Sequence, residues 1–167
     1  MGIIYTFHEE TPEGVEYYLQ NHKWPSRANL HLRYYDMGKN WRLWDNLFCP
    51  PNKSHSFPAN FIMNGTPLPN YDSPEYEDDE YALDLTRPFL FSVEQTMMIS
   101  KFLDSLGKAA IRKRCTHQFW IDNGYSAEYT SEEEEDGFHA LYYEFKKLQR
   151  FFHRIASDNH CVIYRKS

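Results

Sequence analysis

Apolar residues follow strand-like and helix-like spacings in turn along the first third of the chain. The stretch Gly2–His8 is rich in β-branched and aromatic residues and predicts a strand that enters the core. Thr11 is a good helix cap before Pro12, and apolar residues then recur at helical spacing as far as His22. A second helix is predicted at Asn40–Phe48 because four apolar residues form one stripe there. The stripe consists of Trp41, Trp44, Leu47 and Phe48.

The second half of the chain carries stronger helix signals. Ser92, with Gln95 three residues later, predicts a capped helix that ends at Gly107, and Lys108–Arg114 predicts a short basic helix. A long amphipathic helix is predicted from Ser131 to about Ser157, with Ser131 and Glu134 as a capping box. Its apolar stripe contains Phe138, Leu141, Tyr142, Phe145, Leu148, Phe152, Ile155 and Ala156.

The last β-rich segment, His160–Tyr164, is expected to lie beside the first strand. The pattern therefore predicts an α+β fold: a small sheet that includes the N- and C-terminal strands, packed with several helices, the longest near the C-terminus. A chain of 167 residues fits a single domain, residues 1–167.

Between Pro50 and Pro88 the pattern breaks down. Most of the prolines fall there, and only Phe61–Met63 indicates a short strand. We expect a long irregular acidic insert at about residues 64–88. Loops beyond about 12–15 residues are uncommon in compact domains unless they bind something or are disordered.

The formal charge of −6 is distributed unevenly. Glu75–Asp84 and Glu128–Asp136 each hold six acids and neither Lys nor Arg, whereas basic residues gather at Lys108–Arg114 and near the C-terminus. The three cysteines are far apart in sequence, which argues against a disulfide framework and favours a reducing compartment. No signal peptide or membrane-spanning run is visible, so the sequence predicts a cytoplasmic protein without a membrane partner.

Several fragments, in order along nearly the whole chain, resemble one bacterial family. These are Met1-Gly2 before a strand, the Lys39–Leu47 helix, Leu85–Leu90 leading into a helix, and Phe151–Ser157 before a strand. The chain is similar in these parts to the YfbM-like bacterial domain family. It departs from the family in its first acidic insert and in Asn64-Gly65, where a glycine pair is more usual.

The resemblance implies an α+β fold in a bacterial cytoplasmic setting and supplies no catalytic residues. Some proteins that look like this one accompany polymorphic toxins and serve as immunity partners. The resemblance therefore implies an immunity role as an expectation.

Motifs for chemistry are incomplete. Glu135 with His139, and Cys115 with His117, each offer part of a zinc shell, but neither pair supplies three ligands. Cys115 has basic neighbours, yet a buried structural thiol is the simpler interpretation. The dispersed glycines give no phosphate loop. We therefore expect no catalytic residues, no metal and no cofactor, and the negative net charge argues against a nucleic-acid partner.

The leading hypothesis is a non-catalytic binding protein, most concretely an immunity protein. It would neutralise a cytotoxic enzyme, such as an NAD-using ADP-ribosyltransferase or a nuclease, by occluding a basic cleft. Alternatives are an enzyme whose site forms only by tertiary contacts, a housekeeping interaction domain, and a solvated acidic loop with no partner. The predicted partner-binding residues alternate tyrosine with carboxylate: Tyr71, Asp72, Glu75, Tyr76, Glu77, Asp78, Asp79, Glu80 and Tyr81.

Overall fold

The computed structural model describes residues 3–26, 32–50, 55–72, 86–126 and 128–166. The strands are β1 (Tyr5–Glu10), β2 (Tyr34–Gly38), β3 (Thr66–Pro67), β4 (Phe89–Phe91) and β5 (Cys161–Lys166). The helices are α1 (Pro12–Asn21), α2 (Trp41–Phe48), α3 (Val93–Ser105), α4 (Lys108–Arg114), α5 (His117–Asp122) and α6 (Ser131–Ser157), with a short 3-10 helix at Phe61–Met63.

The strands form one antiparallel sheet in the order β2-β1-β5-β4-β3. At its centre β1 and β5 pair along their whole length, from Tyr5 opposite Lys166 to Glu10 opposite Cys161. The N- and C-terminal strands are therefore neighbours, and α6, with 27 residues, is the longest described helix. The predicted α+β fold is confirmed.

One face of the sheet carries an aromatic core against α6. Phe7, Phe91 and Tyr164 are buried on this face, and the rings of Phe7 and Phe91 lie 5.8 and 6.5 Å from the ring of Phe152. Because each large aromatic side chain removes much apolar area from water, these contacts fix α6 across the strands. Six residues of the predicted α6 stripe are buried, together with Phe151, whereas Tyr142 and Ala156 are only partly buried.

The opposite face carries a smaller core beneath α1. Val15 and Tyr18 of α1 pack with Leu68, Cys161 and Ile163. The predicted cap is confirmed, since Thr11 Oγ1 accepts a hydrogen bond from Gly14 N and Pro12 begins the helix. None of the helices in the described ranges is both long and apolar enough to cross a bilayer.

The prediction of a strand at Phe61–Met63 is wrong, because these residues form the 3-10 helix. Met63 N donates to Asn60 O and Asn64 N donates to Phe61 O, which closes the tight turns. A run of three apolar residues has too few positions for strand and helix periods to be distinguished.

The predicted capping box of the long helix is displaced by one residue. Thr130 Oγ1 accepts from Glu133 N at 3.2 Å, and Glu133 Oε2 accepts from Thr130 N at 2.6 Å. Ser131 and Glu134 fit the same spacing, but Thr130 has the extended backbone of a cap and Ser131 is already helical.

Candidate functional site

The acidic segment leaves the fold and returns to it at one place. Antiparallel pairing of β3 with β4 is extended by Leu68 N, which donates to Pro88 O at 2.9 Å. Beyond this pair, the buried side chain of Asn70 donates through Nδ2 to Thr86 Oγ1 at 2.8 Å. Residues 73–85 therefore join two points that the sheet edge holds side by side.

Gly65 allows this edge to lie close to the central strand. A side chain at this position would place its Cβ 2.4 Å from Cε1 of Tyr164, nearer than atoms can approach. Gly65 N also donates to the Tyr164 hydroxyl at 3.1 Å. The single glycine thus has a packing role at the start of β3.

Two of the predicted partner-binding residues, Tyr71 and Asp72, lie in the described part of the chain and are held by the domain. The ring of Tyr71 stacks on His22 with centroids 4.0 Å apart, and Tyr71 N donates to the Tyr18 hydroxyl at 3.3 Å. Asp72 Oδ2 accepts from Arg165 Nη2 at 2.7 Å. These two residues therefore anchor the segment. The other predicted residues lie outside the described ranges: Glu75, Tyr76, Glu77, Asp78, Asp79, Glu80 and Tyr81.

The anchor rests on Tyr18. Its hydroxyl donates to Pro69 O at 2.7 Å, and its ring stacks on Trp24 at 4.0 Å. Burial raises the pKa of Tyr18 above its ordinary value, so the hydroxyl keeps its proton and remains a donor. Helix α1 and the chain before the acidic segment are thereby joined.

A buried polar network at the end of β1 was not predicted from the sequence. The Glu9 side chain is 3% exposed, and its carboxylate accepts from Arg33 N at 2.7 Å, Arg33 Nη1 at 2.9 Å and His160 Nδ1 at 2.6 Å. Arg33 Nη1 also donates to Asp158 Oδ2 at 2.6 Å. Glu9 and His160 are 151 positions apart, so only the β1–β5 pairing brings them together.

This network also contains a carboxylate–imidazole arrangement of the kind that binds metals. One ligand atom each from Glu9, Asp158 and His160 lie within 4.8 Å of one another. The Arg33 guanidinium, however, already bridges the two carboxylates as their cation. The arrangement is thus explained as a structural tie between β1, the start of β2 and the α6–β5 turn.

The thiols lie in environments that disfavour the thiolate. Burial raises the pKa of Cys115 to about 12 and that of Cys161 to about 11. The pKa of Cys49 is also raised to about 11, first by burial and then by the charge of Asp45. A thiol with so high a pKa is a poor nucleophile at neutral pH. The structure favours the interpretation of Cys115 as a buried structural thiol.

The second acidic run has local partners. Hydrogen bonds with Thr130 hold the pKa of Glu133 below its ordinary value, as expected of a capping carboxylate. Glu135 forms an ion pair with Arg112, and its Oε1 lies 3.0 Å from His139 Nε2. The pair proposed as part of a zinc shell, Glu135 and His139, is therefore also joined to an arginine.

A cleft of about 560 Å³ lies where the end of α2 meets α4 and α5. Lys113, Gln118 and Asp122 line it, over an apolar floor that includes Phe48 and Phe119. Arg114 also lines it, but donates to the carbonyl oxygens of Leu47 and Phe48 at 3.0 and 3.3 Å and so caps α2. Its volume lies in the range of small-molecule sites. Sequence reasoning missed it because distant segments form it.

Comparisons with known proteins agree with this architecture. A family model described as a domain of unknown function (DUF1877) matches residues 1–164. The chain is similar to a solved structure described as a protein of unknown function, YfbM, from Escherichia coli, with 17% identity, a TM-score of 0.63, and coverage of 96% of this chain and 98% of that chain. At this identity the likeness shows the fold alone. No curated protein matches the sequence. The resemblance is confirmed: the chain belongs to the DUF1877 family.

Proposed function

We propose that this protein acts by binding, as an inhibitor of a partner protein with a basic surface. In its most concrete form it is a cytoplasmic immunity protein that neutralises a cytotoxic enzyme by occluding a cationic cleft. The observation that carries the proposal is the closed base of the acidic segment. Residues 73–85 begin at the anchored Asp72 and return at Thr86, which is bonded to Asn70.

A fixed base favours binding because less freedom is lost when the complex forms. Loops that enter an interface lose conformational entropy, and a scaffold that holds both ends reduces this cost. Paired strands, a buried asparagine bond and the stacked Tyr71 supply such a scaffold. The segment is in this respect comparable to binding loops on other rigid domains.

The negative charge of the segment favours a partner with a cationic surface. Glu75–Asp84 contains six carboxylates and neither Lys nor Arg, whereas Asp72 is matched by Arg165. Carboxylates steer association toward a cationic surface, and interleaved tyrosines supply rigid contact area. Clefts that hold nucleic acid or the pyrophosphate of NAD are commonly cationic, so toxin domains of these kinds fit the segment.

The test begins with recovery of the partner from the native host by tagged capture and mass spectrometry. The affinity of the purified partner, and its residual activity, are then measured with the wild type and with a variant carrying Glu77→Ser, Asp78→Ser, Asp79→Ser and Glu80→Ser. We expect binding to weaken about tenfold or more, with loss of inhibition. Thermal stability should stay close to wild type, since surface changes away from special features cost within about 0.5 kcal/mol.

A matched control carries serine at Glu132, Glu133, Glu134 and Glu135, which changes the net charge equally. This control should melt at a lower temperature, because Glu133 completes a capping box and Glu135 pairs with Arg112. Its affinity for the partner should change far less. If both variants bind the partner as the wild type does, the interface lies elsewhere and the acidic segment is not the inhibitor.

A further inference from the structure

A groove lined by basic and aromatic residues runs between β2 and the C-terminal half of α6. It has a volume of about 320 Å³ and is lined by Arg33, Tyr34, Tyr35, Lys147, Arg150, Phe151 and Arg154. Lys147, Arg150 and Arg154 recur at three- and four-residue intervals and so share one helix face. The groove lies at the opposite edge of the sheet from β3 and β4. It is therefore formed by other elements than the strands at the base of the acidic segment.

The acids around the groove neutralise only part of its positive charge. Arg33 is held by Glu9 and Asp158, and Lys147 Nζ lies 2.7 Å from Glu144 Oε1. Asp36 Oδ1 accepts from the backbone nitrogen of Gly38.

Two arginines of the groove have no carboxylate partner among the residues that the structure describes. Arg150 donates through Nε to the carbonyl of Lys146 at 3.1 Å, and because a carbonyl is neutral, this bond does not neutralise the charge of Arg150. Among the described residues, neither Arg150 nor Arg154 forms an ion pair, and both are exposed. The groove thus presents two free guanidinium groups, one helical turn apart, beside an aromatic wall.

The other wall of the groove is an edge strand. Strand β2 pairs with β1 and has no further neighbour among the described strands. Glu9 N donates to Arg33 O, so the backbone groups at Arg33 face β1. Along an antiparallel strand, the backbone N–H and C=O groups of successive residues point alternately toward the paired strand and away from it. The backbone groups of Tyr34 and Asp36 therefore point to the outer edge. Such an edge is a template for an added strand.

We propose that this groove binds an extended acidic peptide segment of a partner protein, which adds to β2 as a further strand. Side chains of Arg33 and Tyr35 lie on the α6 side of β2, as shown by the contact of Tyr35 with Phe151 at 5.8 Å. Alternate side chains of the added strand face the same way, toward Arg150 and Arg154. Residues two apart in a strand are separated by about 6.7 Å, close to the rise of about 6 Å between helix residues four apart.

The ligand is therefore a peptide with carboxylates at alternate positions. The intervening side chains would lie on the other face of the sheet, where Asp36 disfavours a third carboxylate. A nucleic acid also carries regularly spaced negative charge, but it has no backbone groups that continue a β-ladder. The strand edge and the charge together favour the peptide.

The experiment uses fluorescence anisotropy of short labelled peptides with blocked ends against the whole protein. We expect a peptide of alternating Glu and Thr to bind, and a peptide with the same residues in two blocks to bind about tenfold more weakly. Methylation of alternate backbone nitrogens in the first peptide should abolish binding, because it removes the ladder donors. Equal binding of the alternating and block peptides, or tighter binding of a thymidine oligonucleotide, would overturn the proposal.

Variants of the protein provide the second part of the experiment. Replacing both arginines, Arg150→Gln with Arg154→Gln, should weaken the binding of the alternating peptide about tenfold, since each exposed ion pair contributes up to about 1 kcal/mol. The control, Lys23→Gln with Lys101→Gln, removes two exposed charges elsewhere and should bind the peptide as wild type does. Melting temperatures of both variants should match wild type. A folded arginine variant with undiminished affinity would show that the groove is not the site.

Discussion

At the scale of single residues, the carboxylate of Glu9 is closely constrained by its hydrogen bonds. It is buried and accepts from three donors: the backbone nitrogen and guanidinium of Arg33, and the imidazole of His160. A buried carboxylate is costly unless it is paired and fully hydrogen-bonded, and these three donors meet that condition. The network also joins segments that are distant in sequence.

Replacement of Glu9 by glutamine tests this interpretation. Glutamine has nearly the same shape, but it lacks the charge, and its amide nitrogen would face a donor. We expect the free energy of unfolding to fall by about 2–4 kcal/mol in chemical denaturation. Asp158→Asn is the control, because Asp158 is nearly half exposed and shares only Arg33. It should cost less than about 1 kcal/mol. Equal costs for the two variants would mean that the network around Glu9 contributes nothing specific.

The contacts of single residues are what sequence reasoning describes least. Tyr71 and Asp72 are predicted to contact a partner because they resemble their acidic and aromatic neighbours, and the sequence did not indicate that they also contact His22 and Arg165. Composition describes what a side chain can do. Which neighbour it meets depends on pairings between strands far apart in sequence, as for Glu9.

At the scale of elements, prediction succeeded where the signal is local. Pro12 after Thr11, and Ser92 with Gln95, were identified correctly because a cap needs only neighbouring residues. Strand β2 was not predicted, because Tyr34–Gly38 includes exposed residues at an edge and shows no clean alternation. Its position depends on β1, and no local pattern encodes that.

The start of α6 offers a sharp comparison between two adjacent residues. Thr130→Ala should lower stability by about 1 kcal/mol, because Thr130 Oγ1 caps Glu133 N. Ser131→Ala should leave stability nearly unchanged, since Ser131 is the first helical residue and alanine suits a helix. Thermal denaturation with circular dichroism measures both. A larger loss of stability for Ser131→Ala than for Thr130→Ala would instead support the capping box of Ser131 with Glu134 that the sequence predicted.

At the scale of the whole molecule, the base of the acidic segment and the basic groove lie at opposite sheet edges. The acidic segment departs from the edge formed by β3 and β4, and the basic groove follows β2. Four inter-strand spacings separate these edges, roughly 19 Å. This exceeds the Debye length at physiological salt, about 8 Å, so charges held at these two strand edges are largely screened from each other. A chain with a modest net charge can thus present both signs to partners.

This separation leads to a prediction about the rate at which the inhibited partner associates. Between 50 and 500 mM salt the wild-type association rate should fall on the order of tenfold, because long-range attraction by the acidic segment is screened. The variant with Arg150→Gln and Arg154→Gln should keep the same salt dependence, since its altered charges lie beside β2, at the sheet edge opposite the base of the acidic segment. The variant with serine at residues 77–80 should associate slowly at low salt, and its association rate should vary little with salt. Stopped-flow fluorescence measures all three rates. A wild-type rate that does not change with salt would show that the acidic segment does not steer the encounter, whatever it contributes to the bound complex.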